Sequence, residues 1–364
     1  MNWIYRQPAA IHFGAGTIEQ LPALVAGYRA PLIVCDRYFA DSGLAYRLKA
    51  MLGTALVYSD ISPNPDVSEV NRCASLIRES GADIIAAVGG GSALDLAKAA
   101  SAALPDIEEY HGTGKAIPAA HIPVIAVPTT AGTGSEVTCI AVLTDRSTGK
   151  KCPIVSDSFY PVAAVVDPAL TCSVPPAVTA STGIDVLCHA VEGYWSRGHQ
   201  PICDALAVHA ANAVFQWLPT AFAQPGNMTA REKMAEASVM AGLAFTLPKT
   251  TAPHACSFPL TAILGIPHGE ACALTLDFFT RVNAADARTQ QLAQSLGCTD
   301  ADALADRILA LKQQLHLRTD LKDLHLSESQ TERLVQESRH PNLKNNPVEV
   351  TDEMLCALYQ KLTH

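Results

Sequence analysis

Two histidines, His254 and His268, bracket the apolar stretch HACSFPLTAILGIPH, which breaks at Gly265 and Pro267. An apolar segment interrupted by a turn can bring its two ends back to one point. Upstream, in GIDVLCHAVEGYW, Asp185 and His189 stand four residues apart. On a helix that spacing places both side chains on one face, one turn above the other. Taken singly, each has an ordinary alternative: a histidine in an apolar helix is commonly a satisfied core or surface residue. Together, one carboxylate and three imidazoles make a donor set for a divalent first-row metal. The reading is a metal centre in which Asp185, His189, His254 and His268 are the ligands and the catalytic groups.

A second chemistry lies earlier. Gly89, Gly90, Gly91 and Ser92 follow the strand-like run DIIAAV and open a helix. Without side chains the backbone can approach a phosphate closely, and a helix N-terminus offers free N–H groups and a positive dipole end. A bare tight turn is the plain alternative, but a position after a parallel strand favours a pyrophosphate site. The loop PTTAGTGSE also ends a strand, and its Thr129, Thr130, Thr133 and Ser135 can line a nucleotide or simply satisfy turn backbone. Asp36 closes the strand PLIVCD. A carboxylate there accepts hydrogen bonds from ribose hydroxyls and repels a 2'-phosphate, favouring NAD over NADP, whereas Arg37 beside it would act the other way.

These groups need elements to position them. Up to about Asp167 short apolar strands alternate with helical stretches, among them NPDVSEVNRCASLIRESG with Asp66 as its cap and an apolar face through Val70, Ala74 and Ile77. That rhythm predicts a parallel sheet covered on both faces. From Val178 onward the chain reads as long alanine- and leucine-rich helices, an all-α domain. The expected domains are residues 1–167, an α/β dinucleotide-binding domain, and residues 168–364, a helical metal- and substrate-binding domain. The proline pair in DPALTCSVPPAV marks the hinge.

Composition narrows the partners. A chain of 364 residues with 49% hydrophobic content fits two compact domains and surface buried between subunits, so a homodimer or larger homo-oligomer is expected. A net charge of -9 argues against nucleic acid and anionic membranes, though not against a small anionic substrate. The eleven cysteines show no paired framework and no CxxC, and Cys35, Cys188 and Cys272 sit inside apolar runs. They read as reduced, core-filling thiols. The start MNWIYRQPAAIHFG lacks the basic end and apolar core of a signal peptide, and runs such as IPVIAVP are too short to span a bilayer. A cytoplasmic protein is expected.

The motifs GGGSALDLAK, PTTAGTGSEVT, the Asp167–Pro168 pair, GIDVLCHAVEGY and HACSFPLTAILGIPHG together resemble the iron-containing (group III, metal-dependent) alcohol dehydrogenase family. The likeness runs from about Phe13 to the Asn346–Pro347 pair. It implies the iron alcohol dehydrogenase, or dehydroquinate synthase-like, fold and an NAD(P)-linked hydride transfer between a nicotinamide and a small aldehyde. It also implies Fe²⁺, with Zn²⁺ in some members, held by the residues matching Asp185, His189, His254 and His268. Many members carry a further histidine four residues after the one matching His254, and here that place is Phe258. Phe258 is therefore read as shaping the substrate pocket.

The segment PKTTAPHACSFPLTAILGIPHG also resembles the phosphonoacetaldehyde reductases (hydroxyethylphosphonate dehydrogenases). An anionic aldehyde needs a cation or N–H donors nearby. Lys249 is the nearest basic residue, with Arg197, Arg339 and Lys344 as further ones that are as readily solvated surface. Other readings stay open: a general primary-alcohol or sulfoacetaldehyde-type reductase, a dehydroquinate synthase-like lyase using NAD and a metal, and a non-catalytic binding protein. Glu192, just beyond His189, can orient a ligand imidazole or lie on the helix surface. Lys150 and Lys151 are placed in a segment crossing between the domains.

Overall fold

The structure, a computed structural model, describes residues 3–145 and 150–364. It divides into two compact units, Arg6–Cys172 and Ser173–His364, the second also taking in the N-terminal residues through Tyr5.

The first unit is built on a six-stranded parallel sheet. Its strands are β1 (Ala10–Phe13), β2 (Pro31–Cys35), β3 (Leu56–Tyr58), β4 (Ile84–Gly89), β5 (Val124–Pro128) and β8 (Ala163–Val166), in the order β1-β8-β5-β4-β2-β3. The strands read as almost unbroken apolar runs because both faces are covered. Along β2, Leu32 and Val34 enter one core with Val70 and Ala74, while Ile33 and Cys35 enter another with Leu21 and Leu48. The covering helices are α1 (Leu21–Val25), α2 (Arg37–Asp41), α3 (Leu44–Leu52), α4 (Val67–Ser80) and α5 (Gly91–Ala100). Asp66 caps α4 as its sequence predicts, in a reciprocal box with Glu69, whose N–H donates to Asp66 Oδ1 at 2.8 Å.

The strand order matters for function. From β2 the chain goes outward to β3, then returns to place β4 on the other side of β2. That reversal leaves a crevice beyond the carboxyl ends of β2 and β4, where open α/β sheets bind ligands. The register pairs Cys35 with Val88 and Gly89 with Pro128, so the ends of β2, β4 and β5 are level.

One element departs from the expected rhythm. β6 (Ile140–Asp145) and β7 (Lys150–Val155) form an antiparallel hairpin. Lys150 and Lys151 thus open a strand inside the first unit and do not cross between units. Lys151 donates to Asn64 Oδ1 at 2.7 Å. The Lys150 side chain falls outside the described residues.

The second unit is helical, with no strand among the described residues: α6 (Pro176–Trp195), α7 (Pro201–Ala223), α8 (Met228–Phe245), α9 (Ala252–Leu264), α10 (His268–Val282), α11 (Ala287–Ser295), α12 (Ala301–Gln314), α13 (Glu328–Glu337) and α14 (Asp352–Thr363). Helix α6 is apolar on nearly every side and is buried from Gly183 through Trp195, as such a helix must be. It packs against α7, α8 and α10. Two glycines permit this. A Cβ on Gly183 would lie 2.2 Å from Leu218 Cδ1 of α7. One on Gly269 would lie 2.0 Å from the Ser181 carbonyl oxygen and 2.8 Å from Asp185 Cβ. Among the described residues no helix is long and apolar enough to cross a membrane.

Candidate metal centre and nucleotide loops

The candidate metal-ligating groups come from three helices of the second unit. Asp185 and His189 occupy one face of α6, with Asp185 Oδ2 3.9 Å from His189 Nδ1. His254 lies in the first turn of α9 and His268 begins α10. The turn at Gly265, which adopts a φ of 70°, ends α9 and lets the chain double back. The His254 and His268 rings consequently stand 5.4 Å apart. His254 Nε2 is 3.1 Å from His189 Nε2 and 3.7 Å from Asp185 Oδ1. Two ring nitrogens bound at 2.0–2.1 Å to one tetrahedral cation would be separated by roughly 3.3 Å, so the spacing fits a shared metal.

Burial sharpens the point. Asp185 is 3% exposed, and its Oδ1 accepts no hydrogen bond among the described residues. A carboxylate oxygen buried without a donor is expensive, and a cation is the partner that removes the penalty. Burial pushes the Asp185 carboxyl up to about 7, with Glu192 adding to the rise and His254 opposing it. The residues present therefore suit a divalent metal.

Glu192 orients the His254 imidazole. His254 Nδ1 is hydrogen-bonded to Glu192 Oε1, leaving Nε2 to face the other donors. The other Glu192 oxygen accepts the Thr251 N–H at 2.6 Å and the Thr251 hydroxyl at 2.9 Å, at the start of α9 where a carboxylate is favoured. Burial would lower the His254 pKa, but Glu192 and Asp185 hold it above its ordinary value. His189 is fixed differently, stacked on Phe245 with ring centroids 4.1 Å apart.

Sequence reasoning missed Cys272. Donor atoms of Asp185, His254, His268 and Cys272 all lie within 4.8 Å of one another, and the Cys272 sulfur is 3.8 Å from His268 Nε2. The thiol is as buried as a core residue, but it also faces the ligands. Its place four residues after His268 on α10 was the available signal.

Phe258 is half-buried. Its ring stands 6.2 Å from that of His268, nearly parallel to it, and 4.7 Å from that of His340. Lys249 takes a left-handed backbone (φ 70°), uncommon for a residue with a side chain. The candidate cations differ. Arg339 is engaged by Asp352 through two contacts of 3.0 and 2.7 Å, Arg197 donates to the Pro347 carbonyl at 3.3 Å, and Lys344 is exposed.

In the first unit the glycine loop and the threonine loop lie side by side. A Cβ on Gly90 would meet Thr130 at 3.5 Å, and one on Gly91 would meet Thr133 at 2.7 Å. A Cβ on Gly89 would fall 2.6 Å from Ala93 Cβ and 3.0 Å from Asp36 Oδ2, so Asp36 also stands at this loop. Helix α5 starts at Gly91 with no side-chain cap, unlike α2, where Asp36 accepts the Phe39 N–H. Its first N–H groups thus have no side-chain cap, an arrangement that suits an anion. Burial raises the Asp36 pKa against opposing backbone N–H groups, that of Gly90 included. Ser92 accepts the Asn64 N–H at 3.1 Å. Two of the loop residues turn inward: Thr129 is buried, and the buried Ser135 donates to Asp95 Oδ1 at 2.5 Å. Ser135 organises the loop.

Comparison with known proteins follows the same division. A family model described as iron-containing alcohol dehydrogenase matches residues 8–168, and one for the C-terminal part of the Fe-containing alcohol dehydrogenase family matches residues 179–363. The chain belongs to the iron-containing alcohol dehydrogenase family. Alcohol dehydrogenase 4 of Schizosaccharomyces pombe is 33% identical, over 96% of this chain and 86% of its own length. Among solved structures, a sulfoacetaldehyde reductase from Bifidobacterium kashiwanohense, in complex with NAD+, is 56% identical with a TM-score of 0.96, covering 100% of this chain and 99% of its own. A 1,3-propanediol oxidoreductase is 30% identical with a TM-score of 0.91, each chain covered in full. This iron-containing alcohol dehydrogenase is thus an oxidoreductase, and the lyase and binding-protein readings give way.

Proposed function

We propose that this iron-containing alcohol dehydrogenase is an NAD(H)-linked reductase of small anionic aldehydes, acting on sulfoacetaldehyde to give 2-hydroxyethanesulfonate. The observation that carries the reading is full-length identity of 56% with a sulfoacetaldehyde reductase in complex with NAD+. It favours the sulfonate over the phosphonate analogue that the stretch around Lys249 suggests. Both share the two-carbon aldehyde and differ in the charge of the head group.

When bound, iron supplies Lewis acidity toward the carbonyl oxygen and the nicotinamide supplies the hydride. Asp185, His189, His254 and His268 would hold the iron. Glu192 fixes the His254 ring so that Nε2 faces inward. The uncapped start of α5 offers N–H groups to the pyrophosphate, and Asp36 offers a carboxylate to the ribose. Phe258 forms an apolar wall beside His268. Lys249 supplies positive charge for the substrate head.

The reading also includes self-association in the cytoplasm as a homodimer or larger assembly. Edge strand β1 leaves Ile11 and Phe13 exposed at 39% and 37%, apolar surface that an edge strand usually covers.

The test follows NADH consumption with sulfoacetaldehyde, phosphonoacetaldehyde and propanal. Sulfoacetaldehyde is expected to have the highest kcat/KM. Lys249→Ala is expected to raise its KM about tenfold, as loss of one charged contact would. A wild-type preference for propanal would refute the substrate, and a Lys249→Ala effect equal on charged and neutral aldehydes would remove Lys249 from the head-group site.

A further inference from the structure

The ligands of the metal centre differ in access. Asp185, His189 and His254 are buried, whereas His268 is only partly so, as are Phe258 and His340. The Phe258 ring neighbours both of the others, 6.2 Å from His268 and 4.7 Å from His340 by centroid. His340 therefore borders the same aromatic side chain that a metal ligand borders.

Its protonation is set by the turn it caps. His340 precedes the 3-10 turn Pro341–Asn345, and its Nδ1 accepts the Asn342 N–H at 3.2 Å. A neutral imidazole has one donor and one acceptor, so the proton sits on Nε2. Burial lowers the ring's pKa, which favours the neutral form. The Nε2–H makes no hydrogen bond among the described residues.

His340 is also held in place. Asn342 Nδ2 donates to Thr250 Oγ1 at 2.8 Å, and Asn345 Nδ2 donates to the Thr250 carbonyl at 3.0 Å. The next residue, Thr251, is tied through Glu192 to His254. The turn that carries His340 is thus fastened, bond by bond, to a metal ligand and to the loop of Lys249.

We propose that His340, through Nε2–H, is a specificity residue that reads the sulfonate head of the aldehyde alongside Lys249. This rests on the substrate class proposed above. The substrate's carbonyl end belongs at the ligands, and its charged end is one methylene away, along the Phe258 wall. A neutral N–H donor matches a sulfonate, a single charge spread over three oxygens. A phosphonate, closer to two charges at neutral pH, costs more to take out of water, and one neutral donor offsets less of that cost.

Two substitutions separate reading the substrate from capping the turn. His340→Asn keeps an acceptor near the Nδ1 position and withdraws the Nε2 donor. His340→Gln keeps a donor near Nε2 and gives up the cap. The readout is the ratio of kcat/KM for sulfoacetaldehyde to that for propanal, with KM and kcat taken apart and Tm recorded. His340→Asn is expected to lower the ratio about 10- to 100-fold, almost all of it in KM, as loss of a hydrogen bond to a charged group does. His340→Gln is expected to keep the ratio close to wild type at a lower Tm. A selective wild type whose His340→Asn variant stays equally selective, with Tm falling only in His340→Gln, overturns the proposal and leaves His340 a cap. A wild type indifferent to the head group overturns the substrate class, and this inference with it.

Discussion

Each unit buries a polar cluster, and the two are finished in opposite ways. In the first unit Lys98 is fully buried yet fully occupied. It pairs with Asp95 at 3.2 Å and donates to the Ser135 carbonyl at 3.1 Å, to the Thr138 hydroxyl at 3.4 Å and to the Ile140 carbonyl. Asp95 is equally spent, accepting from Ser135 Oγ at 2.5 Å and from the Val142 N–H at 2.9 Å. In the second unit Asp185 Oδ1 accepts no hydrogen bond among the described residues, and the Nε2 atoms of His189 and His254 face each other. A buried cluster that satisfies itself is architecture: Lys98 staples the threonine loop and β6 to α5. A buried carboxylate oxygen without a donor among the described residues, beside converging imidazoles, describes a place for something the chain does not encode.

That contrast can be broken experimentally. The largest effect is expected from His268→Ala. Elemental analysis after anaerobic purification is expected to show metal well below one per chain, with kcat/KM down on the order of a thousandfold, about 4 kcal/mol of lost transition-state stabilisation. Full metal content would remove His268 from the centre. Lys98→Met comes next. It takes the ammonium from the partly buried Asp95 and one donor from the Ser135 and Ile140 carbonyls, and is expected to destabilise the first unit by roughly 2–3 kcal/mol in denaturant while leaving metal content intact. Loss of metal in that variant would mean that the two clusters are not independent.

The smallest effect concerns Glu136, buried beside the Lys98 cluster. Burial pushes its carboxyl up to about 7, against its own backbone N–H and Lys98. The fold thus holds a proton that the unfolded chain releases near pH 4.5. Stability is therefore lost as pH rises from there through about 7. Glu136→Gln is expected to remove that loss, a gain on the order of 2–3 kcal/mol at pH 8 and little at pH 4. Equal pH slopes in the two proteins would show that Glu136 is ionised in the fold.

Much of this was legible before any coordinates. The glycine loop announced itself because it sits between a strand and a helix, and the α4 cap because Asp66 and Glu69 have capping-box spacing. Asp185, His189, His254 and His268 were visible as a set because helical spacing and a turn are both local signals. The β6–β7 hairpin was not. Its first strand, IAVLTD, is apolar at successive positions, so no alternation betrays that only Ala141 and Leu143 turn inward. Cys272 passed for a core thiol because an apolar run hides a donor as well as it hides a methyl group. His340 sits in the polar stretch SRHPNLKNN. Nothing local ties it to His268, and only tertiary packing brings both to the Phe258 ring.

Gly269 carries one more consequence. Because α10 meets α6 there with backbone against backbone, a side chain at this position would hold the two helices apart and draw His268 away from Asp185. Transplanting this centre to other helices would have to bring along one bare Cα as well as its ligands.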